Sequence, residues 1–414
     1  MDKQVSTARI QKNMESFERF TSTPGQGITR LPFTGVIRDC VNHLTNLMKE
    51  AGLDVREDAA GNVYGRTKGS AKNAPALVIG SHFDSVRFGG NFDGLCGIIV
   101  GIEIVRMLRD AGITLKNPIE IMGTHDEEGM RYGTGFFGVK AMMGEIDVDY
   151  LRRYKDSDGI SIYESMVSYG LDPERIKAAK RDYKNEIAAF LEIHIEQGPV
   201  LESTNTKLGL VNCIVGMQRF LITVTGRPDH AGTTPMDMRV DAMECASKVI
   251  SQVSGWAKEA GGKGTVATVG FAQVTPNAMN IIPQEVVFSL DVRSKDRNCI
   301  EKIVGNVRAE LERVCSEKGA TFAIDEKLNV APAYLDENLL KMFRESCGKL
   351  GFSQMQMPSG AGHDSLQTAP EIPTVMLFVP SKGGRSHCAV EWTEYSDLAN
   401  AASVVYDTLV SNFK

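Results

Sequence analysis

Six of the seven histidines in this chain stand inside short runs of Asp, Glu and Gly: Gly80-Ser81-His82-Phe83-Asp84, Thr124-His125-Asp126-Glu127-Glu128-Gly129, His194-Ile195-Glu196-Gln197-Gly198, Asp229-His230-Ala231-Gly232, Gly362-His363-Asp364 and Ser386-His387-Cys388. Neutral imidazole and carboxylate are ligands that borderline divalent ions such as Zn²⁺, Mn²⁺ or Co²⁺ accept together. The runs stretch from residue 82 to residue 387. A chain that uses them together must fold so that distant segments meet, and the pattern predicts a metal site gathered in that way.

At 414 residues, with 42% hydrophobic and 24% charged content, the chain can bury a large core and is expected to form two domains. Its net charge of −6 and the lack of a long Lys/Arg run argue against nucleic-acid and anionic-membrane partners, leaving small molecules. The start, Met1-Asp2-Lys3-Gln4-Val5-Ser6, has no apolar stretch of signal-peptide length, and no run approaches the roughly 20 apolar residues of a membrane span. A soluble, cytoplasmic protein is expected. The eight cysteines form no C-x-x-C pair and read as reduced core residues rather than as a disulfide framework, Cys96 and Cys388 included.

Short apolar runs at 75–80, 119–122, 188–195 and 373–379 predict buried strands. Helices are predicted over about 95–108 and 394–410. Strands alternating with helices indicate an α/β fold, a sheet with parallel strands covered by helices. Between about 214 and 328 the rhythm changes: strand 219–224, helix 241–258, strands 266–274 and 286–292, helix 300–318, strand 320–324. That βαββαβ order is the ferredoxin-like split motif. The expectation is a discontinuous catalytic domain, 1–213 with 329–414, carrying an inserted satellite domain, 214–328, whose sheet edges suit pairing of two copies into a homodimer.

His82 and Asp84 follow a strand at spacing i, i+2, which puts both side chains on one side. The carboxylate can orient the imidazole or ligate beside it. Gly89-Gly90-Asn91-Phe92-Asp93-Gly94 presents Asp93 in a glycine-lined turn at a helix start, where one carboxylate can bridge two ions. In Asp126-Glu127-Glu128, Glu128 is read as a ligand and Glu127 as the general base that takes a proton from an attacking water. His194 and His387 complete the candidate ligands. Each motif alone reads as a polar turn at a strand end; it is their joint occurrence that points to chemistry. Gly133-Thr134-Gly135-Phe136-Phe137-Gly138 matches G-x-G-x-x-G but trails its strand behind the acidic cluster, so dinucleotide binding is not expected.

Taken together, Gly80 to Val86, Gly90-Asn91-Phe92-Asp93-Gly94, Asp126 to Gly129, Glu192 to Gly198, His230-Ala231-Gly232-Thr233-Thr234-Pro235-Met236, Asn280-Ile281-Ile282-Pro283 and Ser359-Gly360-Ala361-Gly362-His363-Asp364 resemble the M20 metallopeptidase-related amidohydrolases of the N-carbamoyl-L-amino acid hydrolase and allantoate amidohydrolase branch. The resemblance covers nearly the whole chain in order. It implies two divalent ions, one on His82, Asp93 and His194 and the other on Asp93, Glu128 and His387, with Asp93 bridging, Glu127 as base and Asp84 orienting His82. It also implies substrate contacts at Gln197, His230, Asn280 and Arg293, with His230 stabilising an oxyanion, Arg293 clamping a carboxylate, and domain closure completing the site. Against the family pattern, His125 replaces a smaller or acidic residue, and Ser386-His387-Cys388-Ala389-Val390-Glu391 replaces Ser-His-x-Pro-x-Glu. Residues 211–219 lean toward the allantoate enzymes.

The resulting expectation is a homodimeric, two-metal amidohydrolase that cleaves a ureido C–N bond in a small carboxylated substrate, either allantoate or an N-carbamoyl-L-amino acid, releasing ammonia and CO₂. The alternatives are a dipeptidase or aminoacylase of the same group, and a non-catalytic metal- or metabolite-binding protein.

Overall fold

The computed structural model describes residues 5–414 apart from residues 70, 72 and 263. Two compact units divide it: residues up to Asn212 together with Tyr334–Lys414, and Cys213–Ala333. Among the described residues no helix is long and apolar enough to cross a membrane.

The first unit is built on a mixed nine-stranded sheet. Its middle is parallel: Ile119–Thr124, Ala76–His82, Ile187–Ile195 and Thr374–Val379 lie side by side. Val63–Arg66 and Leu208–Ile214 flank them antiparallel. Every residue of Ala76–His82, Ile119–Thr124 and Thr374–Val379 is buried, as continuous apolar runs require when helices cover both faces. The register matters for function. His82 pairs with Thr124 and Ile195 with Val379, so the loops after all four strands leave from one edge of the sheet. Outside the carboxyl ends of parallel strands is where α/β sheets place their sites.

The helix Leu95–Ala111 is apolar on nearly all sides and packs on the sheet and on Tyr395–Phe413. Gly97 allows the close approach: a Cβ there would stand 2.2 Å from the carbonyl oxygen of Ile193. Gly94, at φ +66°, begins the helix, and a Cβ on it would lie 2.5 Å from the His82 ring. Glycine at these positions lets the Asp93 turn press against the His82 and His194 strands.

The second unit is an antiparallel sheet in the order Thr321–Val330, Gly216–Thr225, Glu285–Ser294, with Thr265–Thr268 and Ala272–Thr275 both on the last strand. Helices Ala242–Ile250, Val253–Gly261 and Arg297–Lys318 cover it. Alternate residues Phe220, Ile222 and Val224, and Val286, Phe288, Leu290 and Val292, meet Val249, Ile303, Val307 and Leu311 in its core. This is the ferredoxin-like βαββαβ arrangement.

Two predicted elements are broken. The helix expected over 241–258 is interrupted at Ser251-Gln252, where Ser251 Oγ and Gln252 Nε2 both donate to the Lys248 carbonyl. Such side chains compete for helix carbonyls. The strand expected over 266–274 carries one extra residue: Thr268 pairs with Asp291 and Ala272 with Phe288, four steps against three. A bulge at Val269-Gly270-Phe271 absorbs it.

Candidate metal centre

Asp93, itself buried, is the hub of a cluster in which His82 and His194 are buried, Glu128 is partly buried and His387 is exposed. Its Oδ1 lies 3.3 Å from His82 Nε2 and 3.0 Å from His194 Nε2, and its Oδ2 lies 3.2 Å from His387 Nε2. Glu128 Oε1 is 3.6 Å from the same His387 nitrogen. Two groups of potential ligands result, His82 with Asp93 and His194, and Asp93 with Glu128 and His387, the donor atoms in each within 4.8 Å of one another. Glu127 belongs to neither. Its Oε2 stands 4.0 Å from His82 Nε2, beside the cluster.

The histidines are aimed from behind. His82 Nδ1 donates to the Asp84 carbonyl at 3.2 Å and His194 Nδ1 to the Ile195 carbonyl at 2.9 Å, since a carbonyl can only accept. That fixes the tautomer and turns each Nε2 toward Asp93. Asp84 was expected to orient His82 through its carboxylate, but the carbonyl holds the ring. The carboxylate, 3.7 Å from Nδ1, instead accepts the amides of Glu127 at 3.1 Å and Glu128 at 3.2 Å. It ties the loop bearing the acids to the loop bearing His82.

Glu391, given no role from sequence, does the same for the other loops. Oε1 accepts the amides of Phe92 and Asp93, each at 3.0 Å, and Oε2 accepts Ser386 Oγ at 2.7 Å and the His387 amide at 3.3 Å. Its place four residues after His387 was the available signal. Ser386 Oγ and Gln197 Nε2 also donate to Asp93 Oδ2, at 3.0 and 2.7 Å. Gln197, expected at the substrate, thus has its amide nitrogen on the cluster. Gln197 and His387 both adopt positive φ, +58° and +55°.

Electrostatically the cluster crowds carboxylates and imidazoles together. Burial pushes Glu127 well above the usual carboxylate range, and Glu128 adds to this against His82. Burial and Asp93 push Glu128 up to about 7. Asp93 is held well below its usual range, because His194, His387 and His82 overcome its burial. The hydrogen bond that His387 donates to Asp93 raises its pKa to about 9. Glu128 Oε1 and Gln197 Oε1 are buried without a hydrogen-bond partner. This donor set fits two divalent ions of the borderline class sharing Asp93.

Other predicted residues fall elsewhere. His125 is buried against Phe33, whose ring stacks at 4.3 Å, and its Nε2 accepts the Phe33 amide at 3.0 Å. It is a packing residue. His363 is buried beside His194, ring centroids 4.5 Å apart, and pairs with Ser359 Oγ at 2.8 Å. In the glycine-rich 133–138 run, the amides of Phe136, Phe137 and Gly138 donate to the carbonyls of Glu127, Asp126 and His125. The run buttresses the acidic loop.

His230, Asn280 and Arg293 lie in the second unit. His230 bridges to Ile281, and the amide of Ala231 donates to the Asn280 carbonyl at 3.0 Å, so His230 and Asn280 are neighbours on exposed backbone. Arg293 meets Asp291 at 2.9 and 3.2 Å, and Arg219 meets the same carboxylate at 2.8 Å.

Residues 78–411 match the family model described as peptidase family M20/M25/M40. The chain is 39% identical to an N-carbamoyl-L-amino-acid amidohydrolase of Paenarthrobacter aurescens, covering 96% of each chain. It is 32% identical to an allantoate amidohydrolase of Bacillus subtilis, covering 99% of each. The crystal structure of an amidase of the hydantoinase/carbamoylase family from Burkholderia multivorans superimposes with a TM-score of 0.89 at 32% identity, covering 99% of this chain and 98% of that one. With its parallel-sheet edge, shared aspartate and flanking acid, the chain belongs to the peptidase family M20/M25/M40.

Proposed function

We propose that this protein is a metal-dependent amidohydrolase that cleaves the ureido C–N bond of a small carboxylated substrate, releasing ammonia and CO₂. The observation that carries the reading is the pair of three-residue groups sharing Asp93 with Glu127 left outside both. A site meant only to hold metal has no need of a buried acid beside its ligands.

His82, Asp93 and His194 would hold one ion and Asp93, Glu128 and His387 the other, as Zn²⁺, Mn²⁺ or Co²⁺. Bound there, two divalent ions supply Lewis acidity, which polarises a poor electrophile such as a ureido carbonyl and makes water more acidic. The rest falls to the protein. Glu127 takes the proton of the attacking water on its carboxylate and returns it to the leaving nitrogen. Burial, which raises its affinity for protons, suits it to both halves of that transfer. Asp84 holds the Glu127 amide and so aims the base. His230 would stabilise the developing oxyanion, and Asn280, Arg293 and Gln197 would contact substrate, Arg293 as a bidentate fork on its carboxylate.

We take an N-carbamoyl-L-amino acid as the first substrate, supported by the 39% identity to an enzyme of that name against 32% for an allantoate amidohydrolase. Residues 211–219 support allantoate as the second. The outer strand Thr321–Val330, paired only with Gly216–Thr225 among the described residues, offers an edge for a homodimer. A cytoplasmic setting suits the eight free cysteines, six of them buried.

The test is ammonia release by metal-stripped protein reloaded with Mn²⁺, Co²⁺ or Zn²⁺ and offered N-carbamoyl-L-methionine beside allantoate in equal amounts. Metal-dependent release from either supports the reading and names the substrate. Silence on both, with turnover of a dipeptide, overturns it.

A further inference from the structure

Arg30 is the largest fully buried side chain among the described residues, with none of its surface exposed. Its guanidinium reaches two of the loops that carry the shared centre. Nε donates to the carbonyl of Phe83, between His82 and Asp84, at 3.0 Å, and Nη1 donates to Asn91 Oδ1, two residues before Asp93, at 3.0 Å. Asn91 is held from its other side by donating to the Met14 carbonyl at 2.8 Å. The backbone around Arg30 is laced to the same loops. Its amide donates to Ser85 Oγ at 2.9 Å, Ser85 returns a bond to its carbonyl at 3.2 Å, Ile28 and Gly89 exchange two amide bonds, and Thr29 Oγ1 accepts the Phe88 amide at 2.8 Å.

A buried guanidinium is costly unless it is paired. Here Nη2 has no hydrogen-bond partner, and the nearby carboxylates of Asp84, Glu391 and Asp93 work for the charge against its burial. An apolar side chain in its place would avoid that cost. What it does that an apolar residue cannot is satisfy two acceptors on two loops with one rigid plane. Lysine cannot reproduce that, because its three donors rotate on one nitrogen and hold no fixed plane.

We propose that Arg30 is a positioning residue: it fixes the His82–Asp84 loop and the Asn91–Asp93 loop relative to each other, so that the ion affinity of the shared centre is set from the segment that precedes the helix Gly35–Glu50. This rests on the two-metal reading above. Arg30 touches neither substrate nor ion; it acts through Phe83 and Asn91 on the spacing of His82 and Asp93.

The test titrates metal-stripped protein with Co²⁺, followed by calorimetry and by visible absorption, alongside the melting temperature of the metal-free protein. Arg30→Lys is expected to weaken Co²⁺ binding at least tenfold and to alter the absorption spectrum. Asn91→Ala, which removes one acceptor of the fork and leaves Arg30 in place, is expected to act in the same direction. Arg9→Met is the control for general loosening of the same part of the chain: Arg9 pairs with Glu103 at 2.7 Å and Asp110 at 2.9 Å, and its loss lowers the melting temperature without moving Co²⁺ affinity. If Arg30→Lys binds Co²⁺ as the unaltered protein does, whatever its melting temperature, the proposal is overturned. Should Arg30→Lys not fold, Asn91→Ala decides by the same criterion. An unaltered protein that binds no Co²⁺ would instead sink the metal reading itself, and the Arg30 proposal with it.

Discussion

His125 offers a sharp test of whether the cluster's surroundings are understood. Its imidazole is wholly buried between Phe33, Phe83 and Tyr169. Burial, with a smaller push from the Arg38 charge, lowers its pKa from the ordinary 6.5 to about 3. Between those two values the unfolded chain binds a proton that the folded one refuses. Stability must therefore fall as pH drops through this window. For one such group the loss between pH 7 and pH 5 is RT times the logarithm of the ratio of the two binding polynomials, about 2 kcal/mol. His125→Gln keeps an acceptor for the Phe33 amide but cannot titrate. At pH 7 it costs roughly 1 kcal/mol of lost ring contact. Urea unfolding of the metal-free forms at pH 7 and pH 5 measures the difference. Every other group titrates alike in both proteins and cancels, so the variant should lose about 2 kcal/mol less than the parent on acidification. Parallel losses would refute the claim that His125 is folded neutral, and with it the assignment of that ring to packing.

Glu127→Gln is expected to lower kcat by about 10²–10⁴-fold while leaving metal content at that of the parent, because Glu127 stands outside both ligand groups; elemental analysis beside the ammonia assay checks both halves. Asp93→Ala should remove both ions together, whereas Glu128→Ala should leave the His82 and His194 group able to hold one, a difference read as metal per chain after dialysis. Gly97→Ala places a Cβ 2.2 Å from the Ile193 carbonyl, an oxygen of the strand that delivers His194, so a loss of about 2–3 kcal/mol in unfolding free energy is expected, with weakened metal binding.

What could be read from the chain alone follows from how local each constraint is. The strands Ala76–His82, Ile119–Thr124 and Thr374–Val379 announce themselves because burial on both faces demands unbroken apolar runs. The residues expected as ligands stand out because only imidazole and carboxylate serve, and they meet in two groups around Asp93. Glu391 did not stand out. Its bridge from Ser386 and His387 needs the amides of Phe92 and Asp93, some 300 residues away in sequence, and an acid beside a loop reads the same whether it bridges or faces water. Arg30 is a harder case, since a lone arginine ahead of the motifs carries no sign that it will be buried. Asp84 shows the intermediate situation: its spacing from His82 was informative, yet the atom that holds the ring is the backbone carbonyl, while the carboxylate grips the next loop. Spacing identifies residues that share a side, but which atom of each is used depends on what the neighbouring loop brings within reach. The ligands of such a centre are therefore the part of the site that a sequence displays, and the groups that hold the four loops in register are the part that only the folded chain reveals.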